Sequence, residues 1–252
     1  MLLDTRWQIS LQASCSSSRR LSKALTPKRR SRFMNPCEAS KDWTVTLKEI
    51  KQKVWHRMDG ATAASLREKG VRYAFALGLS IPHLREIAAD YPHDKGLATA
   101  LLNHEMRELK LLGVMLYPTT ELTKDSLLWI AEQCATTELR DHVAFHLLAE
   151  SNQFDELARV LLSKNSSEWL DLVLNASSRR MIKKAPIQEA TLQNLLKRLN
   201  TIPVTSHVVH FLAHLEENGL VYHELQTMLH EWLLGSDHTK MEVAQTLLPD
   251  LI

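Results

Sequence analysis

The sequence predicts an all-α chain, an α-solenoid of paired helices, on three observations. Leucine and alanine dominate the composition, while glycine is held to 7 residues and aromatics to 6%. Leu and Ala lose little on entering a helix, whereas β-rich chains lean on Val, Ile, Thr and aromatics. Apolar residues recur at spacings of three and four along most of the chain from Asp42 onward. Short breaks divide that pattern into helices of roughly 10–15 residues, paired about every 30 to 40 residues, a spacing typical of repeat architectures. Identity between repeats is not visible, so the prediction rests on element spacing. An ordinary helical bundle is the competing architecture.

The elements follow in order. Leu47, Ile50 and Val54 give a first helix one apolar face, and Asp59-Gly60 is expected to end it. A short helix runs from Ala61 to Lys69 and stops at Gly70. Ser80-Ile81-Pro82 opens the next, because serine can cap exposed N–H groups and proline loses nothing in a first turn. Leu84, Ile87 and Ala88 form its stripe. Further helices are expected over residues 94–103, 105–116, 123–135, 138–149, 154–163, 166–175, 177–184, 187–199, 205–217, 220–234 and 237–248. The breaks are Tyr117-Pro118, Ser163 to Asn165, Ala185-Pro186, Ile202-Pro203, Asn218-Gly219 and Gly235-Ser236.

Charge is unevenly spread. The formal net charge is +2, yet eight of the 31 bases and only one of the 29 acids, Asp4, lie in residues 1–33. That leaves 23 bases and 28 acids, a net −5, for the remainder. A net acidic body is not an indiscriminate DNA binder, so any DNA surface must be a local patch. Residues 1–33 are rich in Ser and Arg and show no hydrophobic period, so they cannot bury enough surface to fold alone. Three readings stay open for them: an upstream start with Met34 as initiator, a disordered basic tail that touches nucleic acid, and a transit peptide. The expected organisation is a disordered basic segment over 1–40 and one helical-repeat domain over 41–252.

Other chemistries find little footing. Cys15, Cys37 and Cys134 are odd in number and widely spaced, so a reduced, intracellular protein without a disulfide framework is expected. No run of ~18 apolar residues exists, so no membrane partner is expected. There is no G-x-x-x-x-G-K-S/T, G-x-G-x-x-G or G-x-S-x-G, and no cofactor is expected. His142 and His146 stand four apart, and His207, His210 and His214 share a face. Histidines four apart on a helix can ligate zinc, but Val143 stands where H-E-x-x-H needs its glutamate, and no third ligand is evident. A polar groove lining or partly buried histidines is expected instead of a metal. Arg179, Arg180, Lys183 and Lys184 form i,i+4 pairs, expected to project as one stripe suited to DNA backbone contacts. Arg107 and Lys110, three apart on an earlier helix, make a second such candidate.

Tyr73-Ala74-Phe75-Ala76-Leu77-Gly78-Leu79-Ser80-Ile81-Pro82-His83-Leu84-Arg85-Glu86-Ile87-Ala88 resembles a "G-V-x-x-P-x-L-R-x-I-A" signature of the AlkD-like DNA alkylation repair family. Arg107-Glu108-Leu109-Lys110-Leu111-Leu112-Gly113 is similar to the "R-E-x-K-x-L-A" helix of that family's next repeat. The resemblance covers roughly residues 44–250. It implies a C-shaped superhelix of HEAT-like (armadillo/HEAT) repeats with a concave DNA channel. It also implies a DNA glycosylase that hydrolyses the N-glycosidic bond of cationic alkylated purines, 3-methyladenine and 7-methylguanine, in double-stranded DNA. Such an enzyme needs a carboxylate near the deoxyribose to stabilise the oxocarbenium ion and position water, with aromatic faces beside the sugar.

The family places a tryptophan and, four residues later, an aspartate on one helix face. In Thr137-Glu138-Leu139-Arg140-Asp141 the carboxylate place falls to Asp141, and Thr137 stands where the tryptophan would be. The family's "W-L-R-R"-like stretch matches Trp169-Leu170-Asp171-Leu172, which keeps the tryptophan and loses the basic pair. The resemblance therefore implies Asp141 as the catalytic residue. With the basic residues Arg107, Lys110, Arg179, Arg180, Lys183 and Lys184 read above from their spacing, Arg140 and Trp169 complete the expected DNA-binding set, Trp169 having core or groove wall as its other reading. The alternative reading is a catalytically impaired module that binds DNA or a protein partner. A monomer is expected, in the bacterial cytoplasm and associated with the nucleoid when bound to DNA.

Overall fold

A computed structural model describes residues 43–68, 73–164 and 166–248. All belong to the compact unit Lys41–Ile252. The expected basic segment 1–40, the Lys69-Gly70 stop and the break at Asn165 lie outside the described residues. Within them the chain forms thirteen α-helices and no strand.

The helices are α1 (Thr44–His56), α2 (Gly60–Glu68), α3 (Ile81–Ala89), α4 (Lys95–Leu102), α5 (Arg107–Leu116), α6 (Lys124–Gln133) and α7 (Thr137–Val143). There follow α8 (Phe154–Leu162), α9 (Ser167–Ile182), α10 (Glu189–Leu199), α11 (Ser206–Asn218), α12 (Tyr222–Leu234) and α13 (His238–Leu247). From α3 on, the odd-numbered helices each touch the next odd-numbered one, as α1 touches α3. The even-numbered α6, α8, α10 and α12 do the same. Two rows of helices therefore run side by side, with the leucine-rich core between them: Leu109, Leu112, Leu147, Leu161, Val173, Leu195, Phe211 and Leu229 are fully buried.

Side-chain chemistry sets the helix starts. Thr123 and Ser126 form a reciprocal capping box at α6, and Asp94, Thr136, Thr205 and Asp237 each accept a backbone N–H of the helix they begin. Asp59-Gly60 does not end α1, which stops at His56. The Asp59 carboxylate accepts the backbone N–H groups of Ala61 and Thr62, so this pair opens α2. Ser80 precedes α3 with Pro82 in the first turn as expected, but its hydroxyl pairs with His83 Nδ1 at 3.2 Å rather than with a backbone amide.

Two glycines in the motif stretches are required sterically. Gly78 has φ +79, and a Cβ there would lie 2.2 Å from the Asp59 carbonyl oxygen. A Cβ on Gly113 would come within 2.8 Å of the Leu102 side chain, so this glycine lets α5 pack closely on α4.

Three expected helices differ. The helices expected over 166–175 and 177–184 are one helix, α9. The expected boundary at Ala176 is no break, and just after it the hydroxyls of Ser177 and Ser178 return to the carbonyls of Val173 and Leu174, 2.8 and 3.0 Å away. They are thus satisfied inside the helix. The helix expected over 138–149 begins as α7 and then widens into a π-turn over Ala144–Leu148, closed by Ala149 N–H on the Ala144 carbonyl at 2.9 Å.

Candidate functional site

Asp141 sits on α7, in the odd-numbered row. Its Oδ1 accepts a hydrogen bond from Asn175 Nδ2 of α9 at 2.7 Å and lies 3.2 Å from Nε2 of His207 on α11. Nδ1 of the same imidazole is 3.8 Å from Asp171 Oδ1, which also accepts the Thr205 hydroxyl at 3.1 Å. Hydrogen bonds to Asp141 and Asp171 lift the His207 pKa to about 9, so the ring is an imidazolium at neutral pH. One network thus ties three successive helices of the row, and a cation sits beside the Asp141 carboxylate. That carboxylate keeps an open side, since the Asp141 side chain is 32% exposed.

One turn further along the same helices lies a second cluster. The π-turn carries Phe145, an exposed aromatic, and His146. His142 and His146 stack with ring centroids 5.4 Å apart and planes at 5°. The Arg179 guanidinium, one turn past Asn175, stands 5.9 Å from the centroid of the Phe145 ring. Arg85 of α3 is near enough for its charge to act on both imidazoles. Burial, then the charges of His142, Arg85 and Arg179, push His146 down to about 4. Burial is also the main cause that lowers His142. Both rings are neutral at pH 7. Two nitrogens here, Nδ1 of His142 and Nε of Arg179, are buried without a hydrogen-bond partner.

The remaining residues of the expected DNA-binding set divide sharply. Arg107 is 4% exposed and wholly engaged. It forks onto Glu138 through Nε, at 2.8 Å, and Nη2, and its Nη1 bonds Glu108 at 3.1 Å and the Leu79 carbonyl at 2.9 Å. Glu108 in turn accepts the backbone N–H groups of Leu77 and Gly78 at 3.1 and 3.0 Å. Burial opposes the Arg107 charge, but the Glu138 and Glu108 contacts more than offset it and hold the guanidinium protonated. The expected phosphate contact at Arg107 is therefore corrected: it is a buried pin between α5, α7 and the loop before α3. Lys110 bonds the Gln133 carbonyl, an orphan acceptor at the C-terminus of α6.

The expected stripe 179–184 is also corrected. Neighbours on a helix point about 100° apart, so Arg179 and Arg180 cannot share one face. Arg180 is 8% exposed, and its guanidinium bonds the carbonyls of Ala149, Ser151 and Pro186 over 2.7–3.1 Å. Lys183 pairs with Glu150, and Lys184 follows the helix at φ +53. Arg140 pairs with Glu168 at 3.0 Å, and Trp169 packs half-buried against the core. The first residue of α7, Thr137, is exposed and puts no aromatic face near Asp141.

Sequence reasoning singled out neither Arg85, Phe145, Asn175 nor Asp171 for these clusters. A signal was there: Asp171, Asn175 and Arg179 recur every four residues, one face of one helix. Among the described residues no group of three His, Cys, Asp or Glu is placed to hold a metal ion. No helix of the described residues is long and apolar enough to cross a membrane.

Two side-by-side rows of paired helices, with the polar clusters on one row, define a HEAT-like repeat protein. The chain is similar to a solved structure from a family described as related to the HEAT-like repeat DNA glycosylases, with affinity for branched DNA structures. The TM-score is 0.64 at 14% identity, over 81% of this chain and 94% of that one. That likeness establishes the fold. No protein-family model and no curated protein matches the sequence.

Proposed function

We propose that this chain binds DNA by its sugar–phosphate backbone, favours branched structures over plain duplex, and does not excise bases. One observation carries the reading: Arg85 and Arg179 stand on one helix row with no acidic partner among the described residues, and Arg179 lies beside the exposed Phe145 ring. Guanidinium groups grip phosphates without reading sequence, and an exposed aromatic stacks an unpaired base, which branch points supply. The described affinity of the structural neighbour for branched DNA supports the same choice of ligand. The test is binding of the full chain to a four-way junction and to duplex DNA across a salt series. The expected result is tighter junction binding, with log K falling linearly in log salt and a slope reduced by about 1 in Arg179→Gln. Absence of junction binding at low salt overturns the reading.

Base excision is the second reading, favoured by one fact: Asp141 lies on the same row as Arg179 and its side chain is partly open. Against it stand the His207 imidazolium, which already compensates the carboxylate, and Thr137, which offers the sugar no aromatic face. Release of 3-methyladenine or 7-methylguanine from methylated duplex by the wild type, lost in Asp141→Asn, would replace the binding reading with a glycosylase.

A further inference from the structure

The cluster around the π-turn holds more information than a patch of positive charge. The three carboxylates whose charge reaches the imidazoles are occupied. On α7 and just beyond it, Glu138 is held by Arg107 of α5, Asp141 by Asn175 and His207, and Glu150 by Lys183. The charges left over are Arg85 from α3 and Arg179 from α9, both of which act on His146 of two stacked, half-buried imidazoles. Nδ1 of His142 and Nε of Arg179 are buried with no hydrogen-bond partner, which is costly unless a ligand supplies one.

We propose that His142 and His146, with Arg85 and Arg179, form a proton-linked phosphate site. A phosphodiester of the bound DNA settles there, and a proton from solvent enters the imidazole pair with it. The inference rests on the DNA-binding reading and deepens it.

The ligand class follows from the donors. They belong to three helices of one row, and a phosphate, with its several oxygens, can accept from more of them than the two oxygens of a carboxylate. Phe145 on the same π-turn gives the adjoining sugar or base an apolar face. Proton linkage follows from the imidazole pair. In the free protein burial is the main cause that keeps both rings neutral; Arg107 and Arg85 lower His142 further against Glu138 and Asp141, and His142, Arg85 and Arg179 take His146 down to about 4 against Glu150. An arriving phosphate offsets the Arg85 charge that lowers both rings and the Arg179 charge that lowers His146, and accepts a hydrogen bond from an imidazolium. The pKa in the complex is therefore higher than in the free protein. Affinity then rises as pH falls through the pKa of the complex, and levels off below the free value of about 4. The stacking of the rings limits uptake to one proton, because a second would put two cations face to face. His207 lies outside this linkage, since its two carboxylates keep it protonated throughout.

Two measurements on the full chain test this. Calorimetric titration with a four-way junction at about pH 6, in buffers of different ionisation heat, counts the protons taken up; uptake approaching one is expected. Junction affinity at fixed ionic strength is expected to tighten roughly tenfold between about pH 7.5 and pH 5.5 in the wild type, and to stay flat in the His142→Gln/His146→Gln variant.

Arg85→Gln, at an exposed position, guards against a folding defect in that variant. It is expected to weaken junction binding by roughly threefold or more. Unchanged binding in Arg85→Gln counts against the site. A wild type that binds the junction without proton uptake overturns the inference and leaves the DNA reading standing. The same holds if the pH dependence persists in the double variant, since it would then belong to groups outside the imidazole pair. No junction binding at any pH sinks both. Inorganic phosphate, at matched ionic strength and without DNA, separates the sources. Equal proton uptake from phosphate alone assigns the site to a free anion and overturns the phosphodiester.

Discussion

Arg107 and Arg180 on one side, Arg85 and Arg179 on the other, give the sharpest comparison in the molecule. The first two are buried, and their N–H groups are spent on Glu138, Glu108 and a set of backbone carbonyls. The second two stand on the odd-numbered row with no acid to hold them, and one has a buried Nε with no acceptor. Sequence motifs do not separate these pairs: Arg85 and Arg107 both sit in stretches that resemble a family motif, and Arg179 and Arg180 are neighbours. What separates them is whether the fold itself completes the hydrogen bonding. A satisfied buried arginine is part of the frame, and an unsatisfied one is open to a ligand.

The comparison breaks first at Arg107. Arg107→Ala leaves Glu108 fully buried and Glu138 largely so, with their countercharge gone. The expected loss is about 3–5 kcal/mol of folding free energy, the usual cost of stripping one partner from a buried ion pair. Urea unfolding measures it. A loss below about 1 kcal/mol would mean that Arg107 is as dispensable as a surface arginine, and the frame reading would fail.

Arg180 is the milder case, because its partners are neutral. Arg180→Ala orphans carbonyls of Ala149, Ser151 and Pro186 and uncovers the Phe154 ring, 4.8 Å below the guanidinium. A loss on the order of 2–3 kcal/mol is expected, and DNA affinity measured well below the melting temperature should be unchanged. A fall in affinity at full folding would move Arg180 into the ligand-binding group.

The Asp141 network lies between the two groups, and pH exposes it. His207 is raised in the folded protein to about 9, above its ordinary 6.5. Its contribution is therefore fully present below pH 6.5 and is lost as pH rises through about 9. Asp141→Asn removes the first of the two raising carboxylates. With both side chains partly in water, the expected cost is about 1 kcal/mol at about pH 6, fading at about pH 10. Unfolding at the two pH values checks the stability, and an NMR titration of the His207 ring should show its pKa dropping toward 6.5. An equal cost at both pH values would mean that the Asn175 hydrogen bond, not the imidazolium, carries the effect.

The fold was largely legible because its signals are local. Pro118, Pro186, Pro203 and Gly219 all fall between helices, and Asp94, Thr123 and Thr205 all begin one. Where local reading failed, a nonlocal partner or a rotation decided. No break falls at Ala176, and Ser177-Ser178 just after it bond backward inside α9. Arg180 turns inward because it is one step around the helix from Arg179. The stacking of His142 and His146 depends on a π-turn that no propensity announces. Asp141 was found by its position in a motif, but its link to His207 spans 66 residues and three helices, beyond any spacing argument.

The smallest stability effect belongs to Arg179, and it sharpens the comparison most. Arg179→Ala removes a guanidinium with no ionic partner among the described residues, together with its contact over Phe145. The change should shift folding by no more than about 0.5 kcal/mol. It also relieves a buried Nε of its missing acceptor, so a slight gain is within expectation. The same substitution should weaken junction binding and raise the His146 pKa from about 4, since one of the charges that depress it is gone. Thermal unfolding, a salt series and an NMR titration read these three consequences independently. If Arg179→Ala costs as much as Arg180→Ala, and leaves both His146 and DNA binding unchanged, the division between frame arginines and ligand arginines does not hold.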